Sequence, residues 1–462
     1  MSQDKRTVQV PAENLPIVDE ADVVVVGGGT SGFIAATAAA RAGAKTILVE
    51  RFGYLGGCTT APYNTGTGKW NDSNGDPIIR GLGWEFLQRM KQDGKAFVNE
   101  NGGNQLWPVW TKKVALDMIT EAGVELYFYT WVSDVIIDGD LVKGVVVQNK
   151  GGRSVILAKA VVDASGDADI AAFCGAPFEM TEVENLQQVS CDYLGCGVDA
   201  AKVVEWARAN QDKLTRVNGL EHEHQGAGVE AMFKIVVPSD QTRQEGGVSH
   251  HVGVMPTVKL CVYREVVRLQ GNVEINPLDP KALTYAEVQG LQGALGHLQY
   301  LQSIIPGFEN VFVVAQNHLG VRETRRIVGD HMLTIDEVTG QARFDDVVCL
   351  NCRSLDYHLA GTKFEISHIV GHHDVPLGAL LPQGVENVVV GGRSVSCDHL
   401  SQASLRGAAT CLATGHAAGV TAAMVALHDS KVRELDVRIV QRKLLEQGAI
   451  LGVGERAKLF AQ

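Results

Sequence analysis

Apolar residues along this chain fall into three kinds of pattern. Val23–Val26 is an unbroken run with no polar alternation, which predicts a strand covered on both faces, as in a parallel sheet. Thr46–Val49, Val155–Val162 and Asn387–Val390 read as further strands. Leu82–Met90, Lys113–Thr120, about Tyr285–Ile304 and the Ala/Gly-rich Leu405–Leu427 carry apolar residues at helical spacing. Between them, Val124–Thr130 and Asp134–Asp138 predict strands, and Asp138-Gly139-Asp140 predicts a hairpin turn into Val142–Gln148. From about 181 to 345 short strands mix with polar loops.

Three strands run directly into glycine: Val26-Gly27, Ala164 to Gly166, and Val390-Gly391. The first is the most informative. Strand, Gly27-Gly28-Gly29-Thr30-Ser31-Gly32, alanine-rich helix, second strand and Glu50 follow in the order of a nucleotide-binding βαβ unit. Gly27 permits the sharp turn, Gly29 lets a pyrophosphate approach the backbone, and Gly32 lets helix and strand pack closely. The helix N-terminus offers N–H groups and partial positive charge to phosphates. Glu50, eighteen residues after Gly32, is placed to accept hydrogen bonds from a ribose.

Composition narrows the picture. The 462 residues allow two or three domains, and 45% hydrophobic with 20% charged residues describes a globular protein with a large core. A net charge of −12 argues against duplex nucleic acid as a partner. The polar N-terminus has no apolar signal core, and Leu412–Leu427 reads as a buried helix rather than a membrane span, so a cytoplasmic protein without membrane insertion is expected. Nine scattered cysteines are expected to be free thiols. Cys349 and Cys352 form a CxxC without a matching second pair, and no metal is expected.

The βαβ unit continues into Glu50-Arg51-Phe52-Gly53-Tyr54-Leu55-Gly56-Gly57-Cys58-Thr59-Thr60. With VVDASGDADIAAFCGAP, LGVRETRRIVGDHMLT, NVVVGGRSVSCDHLSQASLRGAATCLATGHAAG and RIVQRKLLEQGAIL, it resembles the FAD-dependent oxidoreductases of the glutathione-reductase-like flavoprotein superfamily. The nearest branch is that of fumarate reductase and succinate dehydrogenase flavoprotein subunits. The resemblance spans nearly the whole chain. It implies an α/β fold: a Rossmann-like FAD-binding domain with an extra β-meander (1–180 and 346–462) and an inserted α+β substrate domain (181–345).

The resemblance implies FAD contacts from Gly27, Gly29, Thr30, Ser31 and Gly32, from Glu50 and Arg51, and from Gly56, Gly57, Cys58 and Thr59. Val132, then Ala164, Ser165 and Gly166, then Gly392, Arg393 and Ser404 would complete them. It implies an enzyme that transfers hydride between a small organic substrate and flavin N5. A dehydrogenase or oxidase of a CH–OH, CH–NH or CH–CH centre comes first and a reductase of an activated C=C bond second. A flavoprotein acting in nucleic-acid modification, or with no net redox, is the reading from another class. His399 and Arg406 lie in the segment that the resemblance puts beside the flavin, as proton-transfer group and anion contact. Arg322, in a basic cluster with Arg325 and Arg326, and His318 nearby are the other catalytic candidates, with Glu323–Arg326 pairing as the structural alternative. His250-His251 and His372-His373-Asp374 are weaker candidates, and His222 and His224 read as an exposed loop. Cys58 stands without the second cysteine of the disulfide reductases, so dithiol chemistry is not expected there, but Cys58 or Cys397 could carry a covalent flavin link. The partners expected are a small-molecule substrate and no nucleic acid. The electron donor or acceptor and a homo-oligomeric state are left open.

Overall fold

The computed structural model describes residues 8–9, 12–98, 104–218, 231–236, 257–263, 265–316, 318–358 and 364–460. A seven-stranded sheet forms around strand Ile17–Val26. That strand pairs in parallel with Thr46–Val49 on one side and with Gly152–Asp163 on the other. Glu125–Tyr127 extends the parallel part beyond Thr46–Val49. Beyond Gly152–Asp163 the sheet turns antiparallel, through Leu141–Asn149 to Trp131–Asp138. Val388–Val390 joins in parallel with the C-terminal half of Gly152–Asp163. The α/β class and the meander implied by the resemblance are both present. Valines 23 to 26 are buried, as their unbroken run required.

Helix Thr30–Arg41 packs against helix Ala408–His428. Gly415 and Gly419 make this possible: a Cβ on them would lie 2.2 Å from Ser31 O and 2.1 Å from Ala35 O. With only hydrogens at those two places the helix backbones touch, and the end of the chain lies against the glycine turn. Ser31 Oγ also donates to Gly391 O at 3.1 Å, binding the first strand-to-glycine junction to the third. Ala408–His428 is apolar and long enough to cross a membrane, but 94% of its apolar window is buried inside the protein.

The helix expected over Leu405–Leu427 is present as Ala408–His428, and a separate short helix, His399–Leu405, precedes it. The break falls at Gly407, where a Cβ would lie 2.1 Å from Arg353 Cδ. The Arg353 side chain thus fills the space beside the bend.

A second, six-stranded antiparallel sheet runs Leu214–Asn218, Ala231–Val236, Thr257–Tyr263, Val266–Val273, Val189–Cys196, Phe312–Gln316. Helix Pro280–Ile304, started by Pro280 and capped by the Asp279 carboxylate, covers one face. The other face carries Ser190, Arg268, Gln270 and Asn272 toward the first sheet.

Candidate active site

The glycine turn is shaped by what cannot fit. Gly27 has φ +94°, and a Cβ there would lie 2.5 Å from Ala164 O. A Cβ on Gly32 would lie 1.7 Å from Gly27 O. Gly29 differs: the nearest atom to its Cβ position is Gly57 Cα at 3.9 Å. Gly29 also forms the N-cap of helix Thr30–Arg41, where no side chain caps the helix. An open space at an uncapped helix N-terminus suits a phosphate group. At the end of Thr46–Val49, buried Glu50 accepts from Gly28 N–H (2.6 Å) and Phe52 N–H (2.8 Å). Burial pushes its carboxyl up, and these N–H groups and Arg51 offset only part of the rise.

These groups open onto one cavity of about 450 Å³. Its wall includes Gly27, Gly29, Thr30, Ser31, Glu50 and Arg51 from the βαβ unit, then Gly57 and Cys58. Val132 comes from the meander, Ala164, Ser165 and Gly166 from the second junction, and Gly392 and Arg393 from the third. Arg393 joins the last two junctions through a 2.7 Å ion pair with Asp167.

Four expected contacts lie behind the wall. Gly32 packs against the Gly27 carbonyl. Gly56 takes a left-handed turn (φ +101°) and its carbonyl accepts from Thr30 Oγ1 and Thr59 Oγ1. Thr59 is fully buried by that bond. Ser404 donates to Arg353 O and accepts from Asn351 Nδ2. They support the cavity rather than face it.

The far end of the cavity is rich in arginine. Arg268, Gln270 and Asn272 are alternate residues of one strand and so share a face. Arg322, Arg353, Asp356 and Arg406 complete this end. Arg268 pairs with buried Asp192. Asp356 lies 2.9 Å from Arg353 and 3.8 Å from Arg406. Arg322, 9% exposed, forms no ion pair with a carboxylate among the described residues, and Asp356 and Asp192 act on its charge only from farther away. It donates to Gln188 O and, at 3.2 Å, to Asn272 Oδ1. Burial first, and the Arg406 charge second, bring its pKa down to about 10, so it stays cationic at neutral pH. The Nε atoms of Arg353, Arg393 and Arg406 are buried and find no partner among the described residues. Their guanidinium groups therefore keep hydrogen-bonding capacity that the protein does not use.

The four catalytic candidates separate. Arg322, Arg406 and His318 reach the wall, and His399 does not. His399 Nδ1 instead lies 2.8 Å from Oε1 of fully buried Glu323, which also accepts from Arg326 (2.7 Å) and Thr181 (2.5 Å). Burial raises the Glu323 carboxyl, but the His399 bond and charge, Thr181 and Arg326 outweigh it and leave the pKa lowered. His399 is therefore part of an internal ion cluster, and the expected Glu323–Arg326 pair belongs to the same cluster. His318 sits apart from the arginines, stacked on Phe52 with ring centroids 4.7 Å apart.

His372 bonds Asp72 and Arg343, while His373 is buried beside Asn351. His222, His224, His250 and His251 lie outside the described residues. Cys349 and Cys352 are buried free thiols, as is Cys397, which is off the cavity wall; Cys58 and Cys411 are on it. No group of side chains suited to a metal occurs among the described residues. Sequence reasoning missed Arg268, Gln270 and Asn272. The signal was available: alternate polar residues within the apolar run VVRLQGNV mark one strand face.

A parallel sheet whose strand-to-glycine junctions meet around one cavity defines a dinucleotide-binding protein of the Rossmann type. The chain belongs to the FAD dependent oxidoreductase family, which it matches over residues 22–444. Its cofactor is FAD, and it is an FAD-dependent oxidoreductase. Thiamine thiazole synthase of Methanococcus vannielii is 32% identical over 209 residues, 43% of this chain and 70% of that protein. Digeranylgeranylglycerophospholipid reductase of Methanocella arvoryzae is 27% identical over 198 residues, 38% of this chain and 50% of that protein. Among solved structures, a geranylgeranyl bacteriochlorophyll reductase-like protein from Thermoplasma acidophilum covers 93% of this chain and 87% of its own at 12% identity, with a TM-score of 0.45.

Proposed function

We propose that this FAD-dependent oxidoreductase acts on a small organic acid held at the arginine end of the cavity. The observation that carries the reading is Arg322, a buried cation that forms no ion pair with a carboxylate among the described residues, in the same cavity as the glycine turn. A buried guanidinium is costly to leave uncompensated, and a substrate carboxylate would compensate it. Arg406 and Arg353, on the same wall, would add positive charge and charge-assisted hydrogen bonds through their guanidinium groups. Bound FAD supplies two-electron chemistry, exchanging hydride with a CH–OH, CH–NH or CH–CH centre.

On this reading Gly29 and the first turn of Thr30–Arg41 hold the cofactor's phosphates, and Glu50 its ribose. Arg393 and Gly57 border the redox end. Residues 1–180 and 346–462 form the cofactor part and 181–345 the substrate part, as in the fumarate reductase-like branch. Reduction of a C=C bond conjugated to a carboxylate is the second reading. The same arginines would hold such an acid, and the likeness to a protein named as a reductase favours it.

The test is anaerobic mixing of the yellow holoprotein with 2-hydroxy acids, amino acids and saturated acids, and of the reduced protein with α,β-unsaturated acids, each beside its neutral amide. Flavin absorbance should change with an acid at least about 100-fold faster than with its amide, the loss expected when a buried charge pair is broken. Equal rates for acid and amide would contradict the reading.

A further inference from the structure

One segment of the cavity wall, His318–Arg322, joins the two ends, and all five of its residues face the cavity. Its middle is fixed. Ser190 and Gly320 exchange backbone hydrogen bonds of 3.0 and 2.8 Å, and a Cβ on Gly320 would lie 2.2 Å from Ser190 Oγ. Arg322 at one end belongs to the arginine cluster. At the other end the His318 ring stacks on Phe52 (4.7 Å, 25°), and Phe52 stacks on Tyr54 (5.4 Å, 5°). Phe52 and Tyr54 follow Glu50 directly, so the stack joins the βαβ unit to a segment more than 260 residues later.

Two observations separate this stack from ordinary core packing. The His318 side chain is 53% exposed, so the rings can part without opening a core. Tyr54 Oη, in contrast, is buried on the cavity wall and finds no hydrogen-bond partner among the described residues. Burial, and then the Glu50 charge, push that phenol up to about 12, so it is a neutral donor at physiological pH. Water cannot reach this hydroxyl, but the exposed His318 ring leaves the stack free to shift, and an acceptor from the cavity's occupant would then satisfy it.

We propose that His318 is a latch on bound FAD: stacked on Phe52, it closes the wall over the part of the cofactor held by Glu50, while Tyr54 Oη donates a hydrogen bond to that part. The proposal rests on the FAD assignment and gives His318 a positioning role in cofactor retention in place of a catalytic one.

Release of FAD from diluted holoprotein, followed by the rise in flavin fluorescence, tests it. His318→Ala should release FAD roughly tenfold faster, the scale of one aromatic contact, with an unchanged melting temperature. His318→Phe, which keeps a ring, should restore release to within about twofold of wild type. His318→Ala combined with Phe52→Ala should be no faster than the faster single variant. Tyr54→Phe should also speed release although it keeps the stack. Wild-type release rates in His318→Ala, or failure of His318→Phe to restore retention, would overturn the latch while leaving the FAD assignment intact, and wild-type release in Tyr54→Phe would overturn the Tyr54 hydrogen bond. A wild-type protein that is colourless and takes up no added FAD would overturn the assignment and the latch together.

Discussion

The two ends of the cavity are built in opposite ways. The glycine-turn end is made of backbone, within one stretch from Val23 to Glu50, at positions where a Cβ would come within 1.7 Å (Gly32) or 2.5 Å (Gly27) of another atom. The arginine end is made of side chains spread from Ser190 to Arg406, on strands of the second sheet, the His318–Arg322 segment, the stretch from Arg353 to Asp356 and the C-terminal end of helix His399–Leu405. A site made of backbone must write glycine into the sequence at fixed spacing. A site made of side chains can draw each from a different segment, and it leaves no spacing to read.

The sharpest way to break this comparison lies within the turn itself. Gly32→Ala should destroy the fold, because the clash is with backbone oxygen and no rotamer relieves it. The check is loss of cooperative melting. Gly29→Ala has room for its methyl group in the protein alone, with nothing closer than 3.9 Å. It should keep the melting temperature within a few degrees yet weaken FAD binding by roughly 100-fold, because the methyl occupies the space that the phosphates approach. Fluorescence titration with FAD measures this, and wild-type affinity in Gly29→Ala would remove the phosphates from that spot.

A smaller effect concerns what supports each end. The core contains two neutral histidines, His373 beside Asn351 and His416 near helix Thr30–Arg41, whose pKa burial brings down to about 4. His416 Nε2 lies 2.8 Å from Gln447 Oε1. The unfolded chain takes up protons near pH 6.5, while the folded chain resists until about pH 4. Their contribution is therefore complete above pH 6.5 and is lost as pH falls through that window, of order 1–3 kcal/mol for each. Urea midpoints at pH 7.5 and pH 5 should show the fall, and His416→Gln should reduce it. A fall of the same size in the variant would contradict the assignment of this proton uptake.

The sequence showed the cofactor end and much of the scaffold. Unbroken valine runs, the hairpin at Asp138–Asp140 and the three glycine junctions depend on local constraints, and each appears in the structure. Two kinds of feature escaped it. Close packing with distant side chains leaves no local trace: Arg353, more than 50 residues earlier, fills the space beside Gly407, between two helices. Nor does nearness along the chain decide which face a side chain takes. His399 and Arg406 stand seven residues apart, yet the first turns to buried Glu323 and the second to the cavity. Only the alternation in Val266–Val273 held unread information, and it places Arg268, Gln270 and Asn272 together.

The most direct measurement of the central claim is an equilibrium titration of yellow holoprotein with malonate, followed by the flavin absorbance spectrum, for wild type and Arg322→Met. A saturable spectral change in wild type, weakened about 30- to 100-fold in a variant that keeps its full flavin content, is the predicted result. Identical titrations of the two proteins, or no spectral change in either, would contradict an anion-binding role for Arg322 and with it the proposed substrate class.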